Sequence, residues 1–221
     1  VTDPHIGTLN EGSLHAALKA HYAEPGDEFE VPLDRFVIDI RRGDQLIEVQ
    51  TTALAAMGRK LDHLLPTYDI LIVHPIPVRT RLQRPEGPPR RSPKKLTIHN
   101  LFDELVGLPT LLDHPNLTID ACLVEVTKIQ VADPKARRGR GGWRTVDRVL
   151  DELVATERFE TTNDLRRLVP DGLPTPFTTA DLASATGIKR DLAQRMAYCL
   201  RGLGIFEELG RKRSGIQYQL S

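Results

Sequence analysis

Cysteine is scarce in this chain of 221 residues: there are two. Cys122 and Cys199 each stand alone in an apolar segment, which excludes a disulfide framework and reads as two buried thiols in a reducing compartment. No apolar run approaches the ~20 residues that a membrane-spanning helix needs, and no signal-peptide pattern is present. A cytoplasmic protein with no membrane partner is therefore expected. The chain opens on Val1 rather than Met, which points to a trimmed or processed start. Its seven histidines show no paired ligand spacing. His15, one helical turn from Glu11, reads first as a satisfied or exposed side chain.

Net charge is also lacking, with 30 basic against 30 acidic residues. A neutral total gives nucleic-acid binding no support by itself, but the distribution is uneven. Residues 1–78 carry 6 basic and 12 acidic side chains, residues 79–148 carry 14 and 8, and residues 149–221 carry 10 of each. An acidic first segment suits a metal site, and the basic middle would have to steer a polyanion.

What is there begins with Phe36–Arg41 and Leu46–Thr51, separated by Arg42-Gly43-Asp44-Gln45. Gly-Asp favours a two-residue hairpin loop. With Gly43 and Asp44 as the loop, paired residue numbers sum to 87: Arg42 faces Gln45, Ile40 faces Ile47, and Asp39 faces Glu48. Strand alternation puts Phe36, Ile38, Ile40, Ile47, Val49 and Thr51 on a core face, and Val37, Asp39, Arg41, Leu46, Glu48 and Gln50 on the other. Like charges opposite one another on neighbouring strands are destabilising. A divalent cation between them is one reason to keep them; a solvated outer face with Arg41 as neutralising partner is the ordinary alternative.

The flanks are a helix with Leu14, Ala17, Leu18 and His21 at helical spacing, an early strand near Phe29–Leu33, a helix from Ala53 to Leu65 stopped by Pro66, and a buried strand Asp69–His74. Thr8-x-x-Glu11 reads as a capping box, with Glu11 on the inward side of its helix. This order, with Asp39, Glu48 and Gln50 at their spacing, resembles the PD-(D/E)xK nuclease superfamily, which includes restriction endonucleases and archaeal Holliday-junction resolvases. The resemblance covers about residues 8–76. It implies that Asp39 and Glu48 ligate Mg2+ or Mn2+, that Val49 offers its carbonyl, and that Glu11 is a further first-helix acid. Gln50 stands where the family usually has lysine; it can orient water or phosphate but cannot act as a cation. Lys60 on the next helix is a candidate for a migrated charge, and reads first as a solvated helix lysine. Members of the superfamily often act as dimers, which implies a homodimer.

In the last third, Thr178–Gly187 reads as a capped short helix and Lys189–Gly202 as a second helix that buries Leu192, Met196, Cys199, Leu200 and Leu203. Ile205–Leu209 and Ile216–Leu220 read as a hairpin with the basic tip Gly210-Arg211-Lys212-Arg213. About residues 145–220 resemble a winged helix-turn-helix domain. The resemblance implies that the second helix enters a major groove through Lys189, Arg190, Gln194, Arg195, Tyr198 and Arg201. The wing residues Arg211, Lys212 and Arg213 would meet phosphates. Winged helices also serve as dimerisation or docking modules.

Between the two lies a stretch from His74 to Pro93 with six prolines, read as an extended linker or surface excursion. It holds Arg79, Arg81, Arg84, Arg90 and Arg91. A helix over Leu96–Leu112 and strands over Leu117–Val131 follow, then a second basic cluster, Lys135, Arg137, Arg138, Arg140 and Arg144. These clusters are candidates to line a nucleic-acid path. Trp143 could stack on a base there, but reads first as tucked against the winged helix.

The expected fold class is α/β (α+β): a restriction-endonuclease-like mixed sheet flanked by helices over 1–78, a Pro/Arg-rich connecting region over 79–143, and a mainly α winged-helix domain over 144–221. The expected function is metal-dependent hydrolysis of phosphodiester bonds in double-stranded or branched DNA. The rival is a non-catalytic DNA-binding regulator whose degenerate core serves dimerisation or partner docking.

Overall fold

The computed structural model of the chain describes residues 12–108, 113–136, 141–213 and 215–221. Thr8 and Glu11 lie outside the described residues, as do Arg137, Arg138 and Arg140.

Helix α1 (Ser13–Tyr22) buries Leu14 and Leu18 of the stripe its spacing predicts; Ala17 is half-buried and His21, at the end of that stripe, is exposed. Gly12 is the N-cap and gives no side-chain bond. Instead Asp147, far along the chain, accepts from the Ser13 N–H at 3.1 Å and from the Ser13 hydroxyl. A carboxylate suits this position, where the first helical N–H groups lack partners and the dipole is positive. Those bonds to Ser13 hold the Asp147 carboxyl below its ordinary range.

A meander follows: β1 (Glu28–Leu33), β2 (Phe36–Arg42) and β3 (Gln45–Val49). Asp34 and Gly43 take left-handed φ values of 53° and 59° at the first positions of the two tight turns, as primed hairpin turns require. The β2–β3 pairs are Arg42↔Gln45, Arg41↔Leu46 and Ile40↔Ile47, the register expected from Gly43-Asp44. The face opposite the Ile38/Ile40/Ile47/Val49 core departs from a solvated surface on β3. Leu46 and Glu48 are buried there as well, because α1 packs on β3.

After a 3-10 turn (Leu54–Met57) comes α2 (Gly58–Leu64), which together bury Leu54, Met57, Leu61 and Leu64. Strand β4 (Asp69–Gln83) then runs for 15 residues. It continues through Pro75 and Pro77, so most of the expected linker is sheet. The two prolines are two residues apart, and N–H groups at that spacing point to the same side of a strand. Their loss therefore falls on one ladder and leaves the other intact. Strand β5 (Arg90–Arg91) pairs with the far end of β4. Of the helix expected over Leu96–Leu112, residues 109–112 lie outside the described residues; the described part holds a 3-10 turn, Ile98–Asn100, then α3 (Leu101–Leu105). Strands β6 (Leu117–Ala132) and β7 (Trp143–Phe159) complete a sheet of order β1-β2-β3-β4-β6-β7 with β5 on β4. The result is a mixed α/β architecture with one large sheet flanked by helices.

The remainder is α4 (Thr162–Arg166), α5 (Thr179–Thr186), α6 (Arg190–Gly202) and the hairpin β8 (Phe206–Lys212) and β9 (Gly215–Leu220). Thr178 and Asp181 form the capping box of α5, and Gly187 ends the helix at φ 68°. Helix α6 buries Leu192, Met196, Cys199 and Leu200 as expected, and Ala193 and Ala197 besides; Leu203, also expected to be buried, is half-buried. Phe177 bridges to Tyr218 on β9 and packs edge-on to Phe206 at 4.9 Å. Both cysteines are buried free thiols, and burial pushes Cys199 up to about 12.

The chain forms two compact units interleaved in sequence, rather than the three consecutive segments expected. One comprises residues up to 51, 73–97 and 122–156; the other comprises 52–72, 98–121 and 157–221. Among the described residues, no helix is long and apolar enough to cross a membrane.

Candidate acidic site on the hairpin

The β2–β3 ladder runs in one register up to Ile40↔Ile47. Continued by one step, the register sets Asp39 against Glu48. The pair that closes a two-residue hairpin exchanges hydrogen bonds, and pairs alternate from there. In an undisturbed ladder, position 39/48 would be of the non-bonded kind; here the pairing ends at Ile40↔Ile47 and the Val49 N–H bonds the Asp39 side chain.

Among the described residues, a main-chain N–H and an imidazole reach the Asp39 carboxylate. The Val49 N–H donates to Oδ2 at 2.8 Å, and His15 Nε2 lies 3.2 Å from the same oxygen. A carboxylate only accepts, so the shared proton places His15 as an Nε2–H donor. The Asp39 side chain is 16% exposed and Glu48 is 9% exposed as a residue. Acids this buried are uncommon in proteins unless partnered. His15, expected to be merely satisfied or exposed, is a direct partner of the acid, brought there by its position on α1.

Gln50 follows β3 directly. Its N–H donates to the Val73 carbonyl at 2.9 Å. Its own carbonyl accepts from His74 Nδ1 at 2.8 Å, which fixes the proton on Nδ1. The main chain of Gln50 is thereby pinned to β4. His74 is buried, and sequence reading missed it because it sits inside the apolar run of β4. A further acid that sequence reading missed is Asp147: the charge-rich β7 offered no apolar period to show that it reaches α1.

Among the described residues, no group of three or more His, Cys, Asp or Glu is placed to hold a metal ion. Asp39 and Glu48 offer two carboxylates, with Glu11, the third acid expected, outside the described residues. Two carboxylates fit Mg2+, which keeps several waters and binds through one or two carboxylates together with phosphate oxygens. The donor chemistry therefore suits a hard divalent ion bound with its substrate. It does not make a closed protein cage. Lys60 lies on α2, in the other compact unit.

The basic residues expected to meet DNA are divided in their company. Lys189, Arg190, Gln194, Arg195, Tyr198 and Arg201 are all exposed, as are Arg211, Lys212 and Arg213. Arg195 pairs with Asp103 of α3 at 2.9 Å and with Asp191 at 3.4 Å, and Arg201 pairs with Glu208. In the Pro/Arg-rich stretch, Arg79 pairs with Glu125, and Arg81 with Glu125 and Asp151. Arg144 pairs with Asp133.

Comparison with known proteins adds a family. Residues 12–160 match the model of a domain of unknown function, DUF8091, and the chain belongs to that family. The match starts at the N-cap of α1 and ends one residue past β7, so it contains the hairpin site and leaves α4 to β9 outside. An uncharacterized protein of Treponema pallidum (strain Nichols) is 33% identical over 190 residues, covering 83% of this chain and 76% of that protein. No solved structure matches the chain.

Proposed function

We propose that the chain is a metal-dependent DNA endonuclease of the PD-(D/E)xK kind, with α5, α6 and the β8–β9 hairpin as a winged-helix module for DNA. The observation that carries this reading is the β2–β3 register. Carried one pair past Ile40↔Ile47, it would bring Asp39 opposite Glu48, two residues before Gln50, and the Val49 N–H bonds the Asp39 carboxylate. The order of helix, three-strand meander, helix and strand around that hairpin supports it.

When bound, Mg2+ or Mn2+ would acidify a water and neutralise charge developing on the scissile phosphate. Asp39 and Glu48 would hold the ion, with Glu11 and the Val49 carbonyl as further donors. The His15 proton keeps the Asp39 carboxylate in one orientation. Gln50, whose main chain cannot shift without breaking two hydrogen bonds, presents a carboxamide able to orient water or phosphate. On α6, Lys189, Arg190, Gln194, Arg195, Tyr198 and Arg201 would face the groove, and Arg211, Lys212 and Arg213 the phosphates.

Gln50 also favours a second reading. Without a cation at that position the core could be a docking platform in a DNA-binding regulator. The test is incubation with plasmid, branched and single-stranded DNA in Mg2+ and in Mn2+, beside Asp39→Ala and Glu48→Ala. We expect cleavage by the wild type and a loss of roughly 100-fold or more in each variant. Cleavage that survives both substitutions overturns the site. No cleavage of any substrate, with salt-sensitive binding intact, establishes the regulator.

A further inference from the structure

A cleft of about 600 Å³ opens where the end of β4 and β5 meet β6 and the start of β7; Arg84, Arg90, Gln130, Trp143, Thr145 and Arg148 line it. The Arg84 guanidinium sits 4.0 Å above the centre of the Trp143 ring, a cation–π contact. The ring partner of Trp143 is thus an arginine of the Pro/Arg-rich stretch.

Two polar atoms at this cleft are buried and, among the described residues, have no hydrogen-bond partner: Arg84 Nε, a donor, and Gln130 Oε1, an acceptor. Native proteins seldom leave such atoms unmatched. Positive charge is crowded here as well. Burial and then Arg90 hold Arg84 below its usual range. Burial, then Arg148 and Lys94, do the same for Lys128 on β6. A pocket that offers a flat aromatic ring, an unmatched donor, an unmatched acceptor and several cations has the complement of a nucleotide. The base brings a π face and hydrogen-bonding edges, and the phosphates bring negative charge. A duplex keeps its base faces stacked inside, so the occupant must be unpaired.

We propose that this cleft binds a single-stranded segment of nucleic acid, with a base at Trp143 and Gln130 and flanking phosphates on Arg84, Arg90 and Arg148. The inference rests on the nuclease reading for the choice of polymer. The link to the hairpin site is Arg148, whose Nη1 donates to the Thr51 carbonyl at 3.4 Å, one residue beyond Gln50. A strand seated in the cleft is thereby held beside the end of β3, so the preferred substrate carries a single-stranded flap, gap or branch.

Trp143 is the one tryptophan of the chain, so its fluorescence reports this pocket alone. The experiment titrates wild-type protein in EDTA, where metal-dependent cleavage is off, with oligothymidylate, with an abasic oligomer of equal length and with poly-glutamate. Anisotropy of labelled oligothymidylate is read in parallel for Trp143→Ala and Arg90→Ala, whose folding is checked by circular dichroism. Arg90 is exposed, so its variant keeps the probe and the fold. We expect saturable quenching by oligothymidylate and binding roughly 5- to 100-fold weaker in Trp143→Ala. For Arg90→Ala we expect weaker binding with a salt slope reduced by about one. Equal affinity for the abasic oligomer overturns the base pocket. Quenching by poly-glutamate at equal affinity assigns the cleft to acidic proteins and overturns it too. Wild-type affinity in Arg90→Ala, or in folded Trp143→Ala, does the same. Because cleavage is off, quenching with no cleavage under Mg2+ or Mn2+ would break the nuclease reading and leave the cleft standing; the reverse pattern would do the opposite.

Discussion

Asp39 and Arg195 are both charged and both within bonding distance of opposite partners, yet they are held in different ways. Asp39 is mostly buried and is fixed by a main-chain N–H and an imidazole. Arg195 is 43% exposed and leans on two carboxylates at the surface of α6. Desolvating a carboxylate is costly unless its lone pairs are met, so the hairpin acid has one position and partners that cannot diffuse away. An exposed pair is screened by water and salt and contributes little. The Asp39 carboxylate is therefore pre-organised, whereas an arginine such as Arg195 can exchange a carboxylate for a phosphate. Exposed charge on a helix says less about binding than buried charge on a strand.

The largest expected effect that tests this contrast lies at the turn end of the same hairpin. Arg42 donates through Nε and Nη2 to both oxygens of Asp27, each at 2.9 Å, and through Nη2 to the Tyr22 carbonyl at 2.7 Å. The Asp27 side chain is 1% exposed. Arg42→Ala leaves that carboxylate with the Glu24 N–H at 2.8 Å but without its cation, and should cost about 2 kcal/mol, below the usual figure for a broken buried pair because Arg42 itself is partly solvated. The hydrogen bond from Arg42 holds Asp27 below its ordinary value of 3.8. A lowered carboxylate pKa gives stability that is present above that ordinary value and is lost as pH falls through the folded one. Urea melts should therefore show a gap between wild type and Arg42→Ala that is full at pH 6 and narrows below about pH 4. A gap that is flat with pH would mean that Arg42 acts by packing alone.

Asp39→Ala comes next. It leaves the Val49 N–H without its acceptor and should lower stability by about 1–3 kcal/mol. Asp39→Asn keeps an acceptor and should lose less than half of that, while still abolishing cleavage. If both variants melt with the wild type, the carboxylate is not held as its bonds indicate, and the contrast with Arg195 fails.

How much of this could be read in the sequence follows from the same physics. The hairpin was legible because two independent signals agreed: Gly43-Asp44 fixed the turn, and the parity of Ile38, Ile40, Ile47 and Val49 fixed the face. Helix α5 was legible from Thr178 and Gly187, whose cap and left-handed φ are local properties. Strand β7 was not, because its 17 residues expose polar side chains on both faces and leave Phe159 as its one buried residue. A period of two needs one dry face to show itself. Strand β4 was cut short at His74 because proline usually argues against an inner strand. The acids of the candidate site were legible; their companions His15 and His74 depend on which helix and strand meet, a tertiary fact that no local pattern carries. The Arg84–Trp143 contact joins residues 59 positions apart and is of the same kind.

The smallest expected effect concerns α6. A double-mutant cycle on Arg195→Ala and Asp103→Ala, read by urea melts, should give a coupling of roughly 0.2–1 kcal/mol that fades in high salt. The same Asp103→Ala variant removes a negative charge that competes with phosphate for Arg195. If α6 meets DNA, that variant should bind duplex DNA a few-fold more tightly at low salt, the opposite of what Arg195→Ala does. A coupling above about 2 kcal/mol would place Arg195 with Asp39 as a fixed structural charge. Unchanged DNA affinity in both variants would remove Arg195 from the DNA-facing set and shift the weight of polymer binding to the Arg84–Trp143 cleft, where the cations are stacked and crowded.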